Sequence, residues 1–392
     1  MADGAGCAVI AAPTAALPGS TTAAVVDAVR AGAPLRIAGA GTWLDAGRPV
    51  RAREQLALGT LAGIVDYTPG DLTLTARAGT TLAAIDEATR AERQWLPLDP
   101  FGSPAGTIGA TVATASAGPL AHAFGLPRDN VLGLEFVTGA GSVVRGGGRV
   151  VKNVAGFDLV RLLVGSWGTL GVLTEVTVRL RARPEAEVTL ALRGPALAAP
   201  APLLAALRTL GTTAIAPLAL ELVDARLAER LGLGDGPALL ARLGGNEPFV
   251  AGQRAALAPL GDWTELPAAV WERLRDCEPR EVGVVRFSAP PSRMAATWAH
   301  ALAVCAALPG AFAHASVGRG VARCVMPTGG APREAALARA LASPFDGTRV
   351  VERLPAALWP AREPAPVRDR LERELRRAYD PQGILNPGIL GQ

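Results

Sequence analysis

The residues of this 392-residue sequence that could do chemistry are, first, small ones gathered after an extended run. Leu35-Arg36-Ile37-Ala38 leads into Gly39-Ala40-Gly41-Thr42, where the lack of bulky side chains lets backbone N–H groups approach a pyrophosphate. By itself the segment also reads as a tight turn without a ligand. A Rossmann turn needs a third glycine where Leu44 stands, and an ATPase-type phosphate loop needs Gly-Lys, whereas the single lysine, Lys152, follows Val151. A second segment runs from Leu96-Pro97-Leu98-Asp99-Pro100 into Ala105-Gly106-Thr107-Ile108-Gly109-Ala110-Thr111 and on through Ser116 and Gly118, a dense supply of N–H and O–H donors. A third, Gly165-Ser166-Trp167-Gly168-Thr169-Leu170-Gly171-Val172, opens directly into a strand.

Several other chemistries are disfavoured. Cys7, Cys277, Cys305 and Cys324 form no CxxC pair, and His122, His300 and His314 form no HxH or HExxH pattern. That argues against an iron–sulfur cluster, zinc knuckle or multi-histidine metal centre held by this chain alone. Lys+Arg 39 against Asp+Glu 35, without a long basic run and with 4% aromatic residues, argues against a nucleic-acid partner. The uncharged stretch 101–127 is broken by Gly, Pro, Ser and Thr, so it reads as closely packed backbone rather than a membrane span. The opening MADGAGCAVIAAP lacks a basic n-region and a sustained apolar core, which predicts a cytoplasmic protein.

Elements of both kinds must position these loops. Ser20 or Thr21 is placed to cap a helix carrying Val25, Val26 and Val29, and Thr80 or Thr81 one carrying Leu82 and Ile85 inward. Strand patterns run over residues 71–79, 131–137 and 172–180, the last with Val172, Thr174, Val176, Val178 and Leu180 on one face. The fold class expected is α+β. Charges and a proline in Arg179-Leu180-Arg181-Ala182-Arg183-Pro184 mark a boundary, giving units 1–183 and 184–365. The second unit alternates a helical pattern at 201–210 with an extended one at 282–287. A closing segment, 366–392, carries Val367, Leu371 and Leu375 at helical spacing, then the turn Asp380-Pro381-Gln382-Gly383.

The three loops and their spacing resemble the FAD-binding domain of the vanillyl-alcohol oxidase and p-cresol methylhydroxylase (PCMH) type family, over residues 34–180 and again at Tyr379-Asp380-Pro381-Gln382-Gly383-Ile384-Leu385-Asn386-Pro387-Gly388. The run 149–162 followed by Gly165–Gly171 narrows the resemblance to FAD-binding subunits of bacterial glycolate oxidases. The resemblance implies a PCMH-type FAD-binding domain, an α+β cap, and a C-terminal segment packed back on the first domain. It implies that Gly39, Ala40, Gly41 and Thr42 form the first pyrophosphate loop. Pro97, Thr107, Gly109, Ala110, Ser116 and Gly118 would line the pyrophosphate and ring region, and Val172 would meet the adenine end through its backbone. Ala40 and Ala110 stand where many members have Gly. Thr42 and Trp43 offer neither the His nor the Cys used for covalent attachment, so the expected cofactor is non-covalent FAD.

The resemblance further implies oxidation of a small 2-hydroxy acid, glycolate to glyoxylate, beside a larger FAD-containing subunit and an iron–sulfur subunit, and through them a peripheral association with the inner membrane. Such chemistry needs a hydride acceptor, a base and cations for a carboxylate. The catalytic candidates are Arg286, His314 (with Arg319 and Arg323 nearby) and Asn386. Lys152, Asn153 and Asp158 could orient the flavin region or pair internally. The histidine-rich motif of relatives that oxidise such acids unaided is missing. That leaves two alternatives: an assembly subunit whose FAD is structural or absent, and a stand-alone dehydrogenase for another hydroxy acid or alditol.

Overall fold

Thr21, in extended conformation, accepts a hydrogen bond from Ala24 N at 3.1 Å and so starts helix α1 (Thr22–Arg30), which buries Val25 and Val29. These valines pack on a small parallel sheet in which β3 (Glu54–Ala57) lies between β1 (Ala15–Pro18) and β2 (Leu35–Ala38). The computed structural model describes residues 15–148, 157–359 and 370–391. Lys152, Asn153, Val367 and Arg368 fall outside them.

A second sheet, antiparallel, is built from β4 (Ile64–Thr68), β5 (Thr73–Arg77), β7 (Val131–Val137), β8 (Val143–Gly147) and β9 (Val172–Arg179) in the order β4-β5-β9-β7-β8. The short β6 (Gln94–Trp95) pairs with β10 (Arg181–Ala182). Two threonine-capped helices pack against this sheet. Helix α2 (Leu82–Arg90) starts at Thr81 and turns Leu82 and Ile85 inward, and α3 (Ile108–Thr114) starts at Thr107, which accepts from Ala110 N at 3.3 Å. A Cβ on Gly109 would stand 2.7 Å from Ala78 Cβ, so glycine is what lets α3 seat against the end of β5.

The second half is an eight-stranded antiparallel sheet: β11 (Ala186–Arg193), β12 (Ala219–Val223), β13 (Ala238–Gly245), β14 (Thr264–Leu266), β15 (Val282–Ser288), β16 (Phe312–Ser316), β17 (Val321–Pro327) and β18 (Thr348–Arg353), in the order β14-β11-β13-β12-β16-β17-β15-β18. Successive side chains of a strand face opposite sides. Leu220 and Leu222, Ala313 and Ala315, Ala322 and Cys324, and Val285 and Phe287 therefore join one core, with Trp298 of the helix Met294–Ala306 and Leu203 of the helix Pro200–Thr212. The alternate residues face the first half. There Ala219, Val223, Phe312 and Val325 pack together with Phe101, which comes from the loop before α3.

The two halves and the C-terminal segment are stitched by backbone. Gly47 N donates to Glu352 O and Gly102 N to Arg275 O, both at 2.7 Å. Leu385 bridges Leu35 in parallel, Leu35 N donates to Ile384 O at 2.8 Å, and Asp380 accepts from Ile384 N and Leu385 N. Tyr379 sits 6.1 Å from Phe136 of β7, ring to ring. The helix Arg370–Tyr379 buries no side chain, and Arg376 pairs with Glu372 at 2.7 Å.

Candidate flavin and substrate site

Two cavities meet where the halves join, sharing Trp43, Thr114 and Trp167 as walls. The two indoles stand 6.1 Å apart and tilted. The first cavity encloses about 810 Å³ of space, part of it open to solvent. Its walls are the loop after β2 (Gly39, Gly41, Thr42), the start of α3 (Thr107, Gly109, Ala110), and the turns at Gly168, Gly171 and Asn386. Gly41 has φ +75, a conformation that a side chain would strain, and a Cβ on Gly39 would collide with the Thr107 hydroxyl. Bare backbone is thus presented from two elements toward one space, which fits a group that must be met by N–H donors. Arg36 is the only charged side chain among the described residues lining this cavity. Its guanidinium donates to Leu44 O, and burial pushes its pKa down against the opposing pull of Asp45.

Asn386 closes the wall. Its Oδ1 accepts from Ile37 N and its Nδ2 donates to Trp167 O, both at 2.8 Å, so one buried amide ties β2 to the third glycine-rich loop.

The second cavity, about 640 Å³, lies on the polar side of the eight-stranded sheet. Strand alternation brings Glu221 of β12, His314 and Ser316 of β16, Arg323 of β17, Arg286 of β15 and Glu352 of β18 to this wall, with Arg319 from the turn Val317–Arg319. Beneath it runs a buried ion network. Arg323 reaches Glu278 at 2.6 and 2.9 Å and Glu352 at 2.7 Å, and Arg286 meets Glu352 at 3.5 Å. Burial would raise the Glu278 pKa, but Arg323 and His314 override it and hold the carboxyl well below its ordinary range. His314 is fully buried, with its ring 4.6 Å from that of Phe101 and its Nε2 3.1 Å from Glu278 Oε1. Burial lowers its pKa, so the ring is neutral; a carboxylate can only accept, so Nε2 carries the proton and Nδ1 is left as a free acceptor.

The residues singled out in the sequence divide cleanly. Gly39, Gly41, Thr42, Thr107, Gly109 and Ala110 line the first cavity, while Ser116, Arg286 and His314 line the second. Ala40 lies in the first loop with its side chain exposed, and Val172 is buried in the core beside Leu35, next to the lining Gly171. Pro97 and Gly118 are buried away from both cavities, and a Cβ on Gly118 would collide with the Asp99 carbonyl. Asn386 is separated from Arg286 and His314 and belongs to the first cavity. Asp158 caps the short helix Leu159–Leu163 by accepting from Arg161 N at 3.0 Å. Sequence reasoning missed Glu221, Ser316, Glu278 and Glu352. The available signal was a charge at the centre of the apolar run Ala219-Leu220-Glu221-Leu222-Val223.

Comparison with known proteins places this geometry. Residues 15–147 match the family described as FAD binding domain. The glycolate oxidase subunit GlcE of Escherichia coli is 46% identical over 159 residues, covering 40% of this chain and 45% of that protein. The glycolate oxidase subunit GlcD of Bacillus subtilis is 36% identical over 158 residues, covering 40% of this chain and 34% of that protein. The matched part thus spans less than half the length of either relative. The crystal structure of p-cresol methylhydroxylase with substrate bound superimposes with a TM-score of 0.73 at 16% identity, covering 96% of this chain and 88% of the other, which shows a common fold. Residues 15–147 thus match an FAD-binding domain, and the chain shares the fold of p-cresol methylhydroxylase.

Proposed function

We propose that this chain is the FAD-binding subunit of a glycolate oxidase type complex, oxidising glycolate or a close 2-hydroxy acid with an iron–sulfur partner as the next electron carrier. The observation that carries the reading is the pair of cavities with a shared wall: one lined by bare backbone within the FAD-matched segment, the other by three arginines and a neutral histidine. The glycolate oxidase subunits among its relatives supply the substrate class and the expectation of a multi-subunit assembly.

Gly39, Gly41, Thr107, Gly109 and Ala110 would hold the pyrophosphate and ring, with Arg36 as the nearby positive charge. Once bound, FAD supplies a two-electron hydride acceptor. The described residues lining the first cavity include neither His nor Cys, in keeping with dissociable cofactor. Residues 184–365 act as the substrate-side unit. Arg286 and Arg319 attract a carboxylate into the second cavity, and His314 takes the hydroxyl proton on Nδ1 while Glu278 steadies the imidazolium that forms. Trp43 and Trp167 form part of the wall that the two cavities share.

The test is an anaerobic absorbance spectrum of the full chain reconstituted with FAD, before and after glycolate. Bleaching of the flavin band is expected. A chain that takes up no FAD overturns the reading, and a band that persists even with the partner subunits present removes glycolate as substrate.

A further inference from the structure

Five buried polar atoms at the second cavity have no hydrogen-bond partner among the described residues: both carboxylate oxygens of Glu221, Ser316 Oγ, His314 Nδ1 and Arg286 Nε. Buried polar groups are nearly always satisfied, and one cavity wall holding this many orphans points to a polar ligand. Glu221 is the strongest case. It is 0% exposed at the centre of β12 and lies directly across from Ser316 of β16, whose hydroxyl favours the carboxylate without reaching hydrogen-bond geometry. The other carboxyl group on this wall, Glu352, is already spent on Arg323 and Arg286. Arg319 is the matching cation. It is largely buried, it makes no hydrogen bond or ion pair with the described residues, and burial, against the pull of Glu221 and with the help of Arg286 and Arg323, makes its charge costly.

Resting on the function proposed above, we propose that Glu221 as the neutral acid donates a hydrogen bond to the carboxylate of the bound hydroxy acid while Arg319 meets its charge, so that ligand enters only when Glu221 carries its proton. Arg319 and Glu221 are then a recognition pair, distinct from the proton-accepting His314. A charged Glu221 would repel the ligand carboxylate, whereas a neutral one fills the same space as a donor.

Burial, opposed by Ser316, Arg319 and Arg323 and reinforced by Asp99, pushes the Glu221 carboxyl up to about 8. Other titratable groups surround β12, and Asp99 is coupled to Glu221. Asp99 titrates at about 7, and burial pushes His122 of the short helix Ala121–Phe124 and His314 down. The cavity also faces Arg286, Arg319 and Arg323, with Arg242 on the neighbouring β13.

The experiment is calorimetric titration of oxalate, an unreactive small dicarboxylate, into the full chain with and without FAD, between pH 7 and 10. Wild-type affinity is expected to fall about tenfold per pH unit above pH 8, the slope of one linked proton. Glu221→Gln, which keeps a neutral donor of the same size and cannot ionise, should bind as the wild type does at pH 7 with no such fall. Arg319→Met should lose at least tenfold at every pH. A Glu221→Gln variant that keeps the wild-type slope overturns the proposal, as does a wild type that holds FAD but does not bind oxalate. Failure to take up FAD with oxalate binding intact would instead strike the flavin reading and leave the recognition pair standing.

Discussion

At the scale of single residues, the ion network under the second cavity sets the chemistry above it. Glu278 is buried and engaged by both Arg323 and His314, so removing its charge leaves the Arg323 guanidinium with Glu352 alone and releases the imidazole. Glu278→Gln should lower the unfolding free energy by about 3–5 kcal/mol, the usual cost of breaking a buried pair from one side, read from denaturant midpoints at unchanged slope. A surface pair such as Arg254 with Glu265 at 2.7 Å, both more than half exposed, offers the contrast: breaking it should cost under about 1 kcal/mol.

At the scale of elements, local signals were readable where one residue type had one job. Thr21 and Thr81 cap their helices because a hydroxyl before an apolar run satisfies an otherwise orphaned N–H, and Thr107, read in the sequence only as a cofactor-lining residue, does the same for α3. The strand Val131–Val137 and the buried face of Val172, Val176 and Val178 followed from period-two patterning. The polar wall of the second cavity did not, because it is assembled one residue at a time from β12, β15, β16, β17 and β18, and no single strand shows more than one or two of its members. His314 and Arg286 were noticed by their chemistry, whereas Glu221 looked like a charge in an apolar run. Asn386 was noticed too, and its two bonds to backbone make it a positioning residue. Asn386→Ala leaves Ile37 N and Trp167 O unsatisfied, which should cost about 1–3 kcal/mol for each orphaned group and weaken FAD binding about tenfold or more, as measured by flavin fluorescence titration.

At the scale of the whole molecule, the junction between the halves responds to pH. Asp99 is buried there, accepts from Leu120 N at 3.0 Å, and has its carboxyl pushed up to about 7 by burial, against the pull of Arg275 and Arg242 across the groove. Its folded pKa lies above its unfolded one, so the folded chain holds this proton more tightly. The associated stability is present in full below about pH 4 and is lost as pH rises to about 7. Asp99→Asn keeps the acceptor and needs no proton. Thermal unfolding should therefore show the variant gaining on the wild type between pH 4 and 7, by an amount up to about 4 kcal/mol, and holding that gain above pH 7.

The clasp made by Asn386 also fixes an order of events. The first cavity is walled by residues from positions 36 to 389, and its β2 wall is held by β3 on one side and by the segment 384–386 on the other. A chain still being synthesised has its glycine loops long before it has that pin. Cofactor capture is therefore a late event in the life of the polypeptide, and a chain shortened before residue 386 is left with an open cradle rather than a pocket.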